Sequence, residues 1–202
     1  MTNKGLLVIL SGPSGAGKGT VIQSLLAQSK TIRLSVSATT RSPRPGETDG
    51  KEYYFISREK FSRMEQGGRM LESAEYCGNR YGTPAAPIEE WNSQGLDALL
   101  EIEVQGGALV KAKRPDSVGI FVLPPSLEIL EQRLRNRGTE PDETVRKRLQ
   151  AAKREIREAG NYDYVVVNDQ VERAAGEICQ IIRSEKLRTS RNKQLIERVL
   201  NK

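Results

Sequence analysis

Residues 12–20 read Gly-Pro-Ser-Gly-Ala-Gly-Lys-Gly-Thr. They stand between a continuous apolar run at 6–10 and a segment with helical spacing, Val21, Ile22, Leu25 and Leu26. Strand, glycine-rich turn and helix in that order form a phosphate-binding loop, because backbone N–H groups and the helix N-terminus converge on one anion. Gly12, Gly15 and Gly17 let the backbone curl into positive φ and approach phosphate oxygens closely. Pro13, Ser14 and Ala16 complete the curl, and Lys18 adds a mobile point charge within reach of the β- and γ-phosphates. The pattern asks for Ser or Thr directly after the lysine; this chain has Gly19 there, with Thr20 one place later. The plain alternative is a glycine-rich strand-to-helix turn without a ligand.

The chain has 202 residues, 37% of them hydrophobic and 29% charged, which allows one large domain with a proper core and small insertions. No apolar run approaches membrane-spanning length and the start carries no signal-peptide pattern, so a cytoplasmic location is expected. Cys77 and Cys179 lie far apart and have no metal-site spacing. The absence of histidine removes imidazole as base, nucleophile or ligand, and with it triad hydrolysis and histidine-based metal chemistry. A net charge of +6 asks for an anionic partner, but the aromatic residues show no stacking pattern interleaved with basic ones.

Four further strands are expected beyond the loop. Ile32, Leu34 and Val36 alternate with polar residues over 31–37; residues 96–103, 118–123 and 164–169 are the others. Between the second and third lies 37–87, turn-rich and poor in core material, with a short strand at 53–56 and a short helix near 58–66. This unit reads as an insertion at the sheet edge, mobile relative to the core. Pro84 and Pro87 open a helix reaching about residue 94. Ser126 is a helix N-cap, and Thr139 with Asp142 has capping-box-like spacing before a helix that puts Val145, Leu149, Ala152 and Ile156 on one face. A final helix covers about 171–187. Leu195, Ile196, Val199 and Leu200 form a helical apolar stripe in the tail, expected to pack on the body, with a partner contact as the alternative. Strands alternating with helices predict a parallel sheet covered on both faces.

In such a sheet, ligands bind beyond the carboxyl ends of the strands. The phosphate loop, Ser37, Glu101 with Glu103, and Asn168 with Asp169 are all expected at that edge. Arg41 and Arg44 lie on one side of the loop, and Arg133, Arg137, Arg146 and Arg148 on the other. Phosphoryl transfer between two anions needs cations so arranged; Arg135, Arg146 and Arg154 read equally well as solvated helix charges. Glu72, in a mostly apolar stretch, needs a donor: a guanine Watson–Crick edge or an arginine would serve.

Beyond the loop, the stretches SVSATTRSPRPGETDGKEYYF at 35–55, Tyr81-Gly82-Thr83, EIEVQG at 101–106, RLRNRGTE at 133–140 and VVND at 166–169 make the chain resemble the guanylate kinase family over nearly its whole length. The resemblance implies a P-loop NTPase-type α/β fold: a five-stranded parallel sheet flanked by helices, a small mixed α/β GMP-binding insertion and a helical lid. It implies a kinase-like domain at 4–184, with core 4–36, 88–134 and 160–187, insertion 37–87 and lid 135–159, followed by a helical tail at 188–202. The implied reaction moves the γ-phosphoryl of ATP to GMP with Mg²⁺, without nucleic acid or membrane as partner. Ser37, Glu72, Thr83 and Glu103 match the family's guanine contacts. Arg41, Arg44, Tyr53 and Tyr81 match its GMP-phosphate contacts. Lys18 and the loop match the ATP phosphate site, Arg133, Asn168 and Asp169 the adenine end, and Arg137 and Arg148, with Arg44, the cations around the transferred group. Many relatives have Asp where this chain has Glu101 and Glu103. Gly19 replaces the usual Ser, which leaves Mg²⁺ without a direct protein ligand, held by phosphates and water, while Thr20 is expected at the α-phosphate. The alternative is an inactive guanylate-kinase-like module that binds a phosphorylated peptide.

Overall fold

Every residue of the first apolar run is buried, and alternate side chains go to opposite faces of the sheet. A computed structural model of the chain describes residues 4–76, 78–136 and 141–201. The chain begins with β1 (Leu7–Ser11), α1 (Lys18–Gln28), β2 (Ile32–Leu34), β3 (Ala38–Thr39), β4 (Tyr54–Phe55) and α2 (Arg58–Gln66). It continues with β5 (Met70–Tyr76), β6 (Asn79–Pro84), α3 (Ala85–Ser93), β7 (Asp97–Glu101) and α4 (Val104–Lys113). The last third holds β8 (Val118–Leu123), α5 (Leu127–Arg135), α6 (Asp142–Arg157), β9 (Tyr164–Val167), α7 (Val171–Lys186) and α8 (Lys193–Leu200).

The main sheet has the order β2-β7-β1-β8-β9, with every pairing parallel. Val8 and Leu10 face Val21 and Leu25 of α1 and Ala174 and Ile178 of α7; Leu7 and Ile9 face Ile88 of α3 and Val110 of α4. Both faces are therefore covered, as the continuous rather than alternating hydrophobicity of β1 and β8 requires. Each fully buried Leu or Ile contributes roughly 1.5–3 kcal/mol, so the central strand fixes where its carboxyl end, and the loop after it, must stand.

A second sheet, β4-β3-β6-β5, sits between residues 38 and 84 and mixes one parallel with two antiparallel pairings. Its own core is small: Ala38, Phe61 and Met70, with Tyr54, Ile56 and Met64 packed around them. Leu71 of β5 is buried instead in the main core against Ala85, Ile88 and Leu100, which ties the second sheet to the first. Leu130 and Leu134 of α5 meet Val145 and Ala152 of α6 in a separate cluster, so α6 is carried by α5.

Several expectations are corrected. The second strand stops at Leu34, before Val36. β7 ends at Glu101, and Glu103 is the residue that opens α4, so only one of the two glutamates is a strand end. The hairpin β5–β6 was not foreseen. The tail stripe does not pack on the body: Leu195, Ile196, Val199 and Leu200 are 50%, 43%, 70% and 73% exposed. Arg191 and Asn192 bind the carbonyls of Asp116, Lys186 and Arg188, which anchors the chain just before α8, and the eight residues of α8 beyond that anchor bury nothing. Ser126 caps α5 by accepting from the Ile129 N–H, as expected. Arg137 and Thr139 lie outside the described residues, as does Cys77; α6 begins directly behind Pro141. No helix among the described residues is long and apolar enough to cross a membrane.

Candidate active site

The loop after β1 has the conformation its glycines permit: φ is +150° at Gly12, +92° at Gly15 and +87° at Gly17. At Gly17 a Cβ would lie 2.4 Å from the Asn168 amide nitrogen, so the position requires glycine for space as well as for φ. Gly17 is also the N-cap of α1, and the helix opens directly under the loop. Lys18 Nζ donates to the carbonyls of Gly12 at 2.6 Å and Pro13 at 3.4 Å, which holds the ammonium over the concave side. The loop is braced from behind. Asn168 Nδ2 donates to Ala16 O at 2.7 Å, and Arg133 reaches Ala16 O and Asn168 O at 3.3 and 3.0 Å. Thr20 Oγ1 donates to Gly17 O at 2.7 Å, and the space a Gly19 side chain would occupy is open.

Two cavities meet above the carboxyl ends of β1 and β7. One, of about 440 Å³, is lined by the loop, Lys18, Tyr53, Glu101 and Glu103. The other, of about 330 Å³, is lined by Ser37, Tyr53, Glu72, Tyr81, Glu103 and Gln105, among others. Tyr53, Glu101, Ile102 and Glu103 border both, so the cavities form one two-ended cleft of the size that holds small molecules.

At the far end Glu72 is 7% exposed and Thr83 is fully buried, and the Thr83 hydroxyl donates to Glu72 Oε1 at 2.6 Å. Burial pushes the Glu72 carboxyl above its usual range, against the pull of Thr83 and Lys113. Of the two partners left open for Glu72, no arginine is found: among the described residues it makes no ion pair. Between the ends, Arg41 forms a two-pronged pair with Glu47, both bonds 2.9 Å, and its guanidinium lies 5.5 Å from the Tyr53 ring centre. Tyr53 and Tyr81 meet edge-on at 5.9 Å. Arg41, Tyr53 and Tyr81 are thus brought together, while Arg44 is exposed and contributes its N–H to Glu47 Oε2 at 2.7 Å. Glu47 holds both arginine-bearing positions, and the Arg41 guanidinium with the Arg44 N–H keeps its carboxyl below the usual range.

From α6, Arg148 Nη2 donates to Ser14 Oγ at 2.8 Å. Asp169 is exposed, pairs with Arg173 and accepts from the Gln170 N–H, so it faces the start of α7 rather than the loop. Arg135 pairs with Glu131 and Asp142, and Arg146 and Arg154 are exposed, which fits the solvated-helix reading of all three. Glu47, Gln105 and Glu155 were missed. The only signal for Glu155 was its spacing of two helical turns from Arg148.

A glycine loop under a helix N-terminus, behind the central strand of a parallel sheet, defines a P-loop nucleotide-binding protein, and the second pocket makes the cleft a two-substrate one. The chain matches the guanylate kinase family model over residues 4–185. It is 51% identical over 197 residues to a guanylate kinase of Desulfitobacterium hafniense, with 98% of each chain covered. It is 52% identical over 200 residues to one of Symbiobacterium thermophilum, covering 98% of this chain and 95% of that one. The crystal structure of guanylate kinase from Anaplasma phagocytophilum superposes with a TM-score of 0.74 at 38% identity, over 94% of this chain and 90% of that one. The protein belongs to the guanylate kinase family.

Proposed function

We propose that the protein transfers the γ-phosphoryl group of ATP to GMP, giving ADP and GDP. The observation that carries this reading is the single cleft with the phosphate loop at one end and the buried Glu72–Thr83 pair at the other. ATP lies with its phosphates on residues 12–20. Asn168 Oδ1, a buried acceptor without a partner among the described residues, suits a donor such as the adenine amino group, with Arg133 and Asp169 beside it. GMP lies with guanine against Ser37, Glu72, Thr83 and Glu103, and its phosphate against Arg41, Arg44, Tyr53 and Tyr81. The 37–87 unit and the 135–159 unit act as acceptor site and lid about the core.

In the transfer, a GMP phosphate oxygen bonds to the γ-phosphorus as the bond from that phosphorus to the β–γ bridging oxygen breaks. The acceptor oxygen is already anionic, so no general base is needed. Charge spreads over the equatorial oxygens and the leaving oxygen, and positioned cations lower the barrier. Lys18 stabilises the β- and γ-phosphate charge, and Arg148, with Arg44 and Arg137, the transferred group. The cleft suits Mg²⁺ held mainly by phosphate and water, with Glu101 and Glu103 lining it together. Bound there, the ion neutralises charge on the triphosphate.

ADP release measured with ATP and each of GMP, AMP, CMP and UMP tests the reading. GMP alone is expected to support turnover; no GMP-dependent ADP release would leave the phosphopeptide-binding module in its place.

Glu47→Ala removes both the fork that orients Arg41 and the acceptor that holds the Arg44 N–H. The KM for GMP is expected to rise about tenfold with kcat within about threefold, because the arginines keep their charge and lose their preorganisation. Steady-state kinetics at saturating ATP checks it.

A further inference from the structure

The lid helix carries an anion as well as a cation into the phosphate site. Arg148 holds α6 over the loop through Ser14. Seven residues later, two turns along the same flank, Glu155 lines the loop cavity together with Gly12, Ser14, Gly15, Gly17 and Lys18. Its carboxylate is half-buried and makes no salt bridge among the described residues. Burial and the facing carboxylate of Glu103 push its carboxyl above the usual range, while Lys18, the Ser14 N–H and neighbouring Arg154 pull the other way. A carboxylate so placed is not a structural ion pair. It faces the donors that a phosphate uses, and it is an anion itself.

On the reading that ATP binds here, we propose that Glu155 competes with the triphosphate of ATP for the loop, so that nucleotide entry must displace this part of α6. The two anions cannot both occupy the cavity that the loop and Lys18 line, because like charges in a partly desolvated cavity repel strongly. Arg148, on the same flank, is attracted by the arriving phosphates. Nucleotide therefore pulls one end of the helix face and expels the other, which makes the lid respond to ATP by pivoting about its contact with α5. The cost is a lower affinity for ATP than the loop alone would give, and the gain is a lid already set against the loop.

Calorimetric titration of the full chain with ATP, without GMP and at fixed Mg²⁺, tests this. Glu155→Gln keeps the shape and removes the charge, and Glu155→Ala removes both. Both are expected to lower the Kd for ATP about tenfold, with the Kd for GMP within about twofold of the unsubstituted protein. An ATP Kd that is unchanged or raised in both variants overturns the proposal, since a residue that helped to hold ATP would weaken binding on removal. ADP release by the unsubstituted protein, run in parallel, keeps the two readings apart: its failure would count against the kinase activity, while the comparison of ATP affinities still decides the role of Glu155.

Discussion

Lys18→Ala is expected to lower kcat by about 10³-fold while shifting the thermal midpoint by no more than about 2 °C. The size follows from what single positioned donors and cations contribute where charge develops during acyl and phosphoryl transfer. The small stability effect follows from geometry. Lys18 sits at the first position of α1, half-buried, and its ammonium bonds carbonyls of its own loop, Gly12 and Pro13, which water reaches once the side chain is gone. The curl itself rests on Gly12, Gly15 and Gly17 and on the brace from Asn168 and Arg133, none of which the substitution touches. Lys18→Arg should recover little, within about tenfold of the alanine variant, because a planar five-donor fork does not fit a concavity closed by two carbonyls. Steady-state ADP release with thermal unfolding of each variant checks both statements. An unchanged kcat in Lys18→Ala would sink the phosphoryl-transfer reading.

The loop and the main sheet were legible because they rest on local rules. A continuous apolar run followed by glycines with a required φ leaves one arrangement for 6–26, and the run at 118–123 reports double-sided burial directly, whereas the equally apolar run at 164–167 is the edge strand β9, with Val165 and Val167 exposed. The hairpin of β5 and β6 was not legible, since Glu72, Glu75, Arg80 and Gly82 interrupt the alternation that marks a strand. Two of those interruptions, Glu72 and Gly82, line the cleft, and Glu72 is a buried carboxylate where a strand would otherwise place an apolar residue. Its environment explains why propensity failed there, because the side chain is held by Thr83 across the hairpin, eleven residues away. Glu47 and Glu155 share this property. Each earns its role from a partner reached through the fold, Arg41 in one case and the loop cavity in the other. The tail failed for the opposite reason. Its stripe is a sound helix signal, but amphipathic spacing does not say whether a facing surface exists, and α8 has none among the described residues.

Glu72→Gln is expected to lower kcat/KM for GMP by about 10²–10³-fold and to bring AMP, expected to be inert with the unsubstituted protein, into measurable range. A carboxylate accepts from both N1–H and the 2-amino group of guanine, whereas adenine offers an acceptor at N1. The amide offers one acceptor and one donor, which leaves a guanine donor facing an N–H and suits adenine better. A site built around buried hydrogen-bonding groups discriminates by such mismatches. Removing the charge should also raise the thermal midpoint of the ligand-free protein at pH 7, by about 2–4 °C if relief of the buried carboxylate is on the order of 1 kcal/mol. The pH trends oppose one another. Glu72 has its folded-state carboxyl raised by burial, so as pH falls from neutral through that raised value the folded protein takes up a proton that the unfolded chain does not yet bind. Stability of the ligand-free protein therefore rises toward acid over this window, and that gain is lost as pH rises. GMP affinity falls over the same window, because a protonated carboxyl can no longer accept from both guanine donors. Thermal unfolding and GMP titration across pH 5–8 should show opposite slopes in the unsubstituted protein, and both slopes should be smaller in Glu72→Gln. Parallel slopes, or a variant that keeps full preference for GMP over AMP, would remove Glu72 from the guanine site.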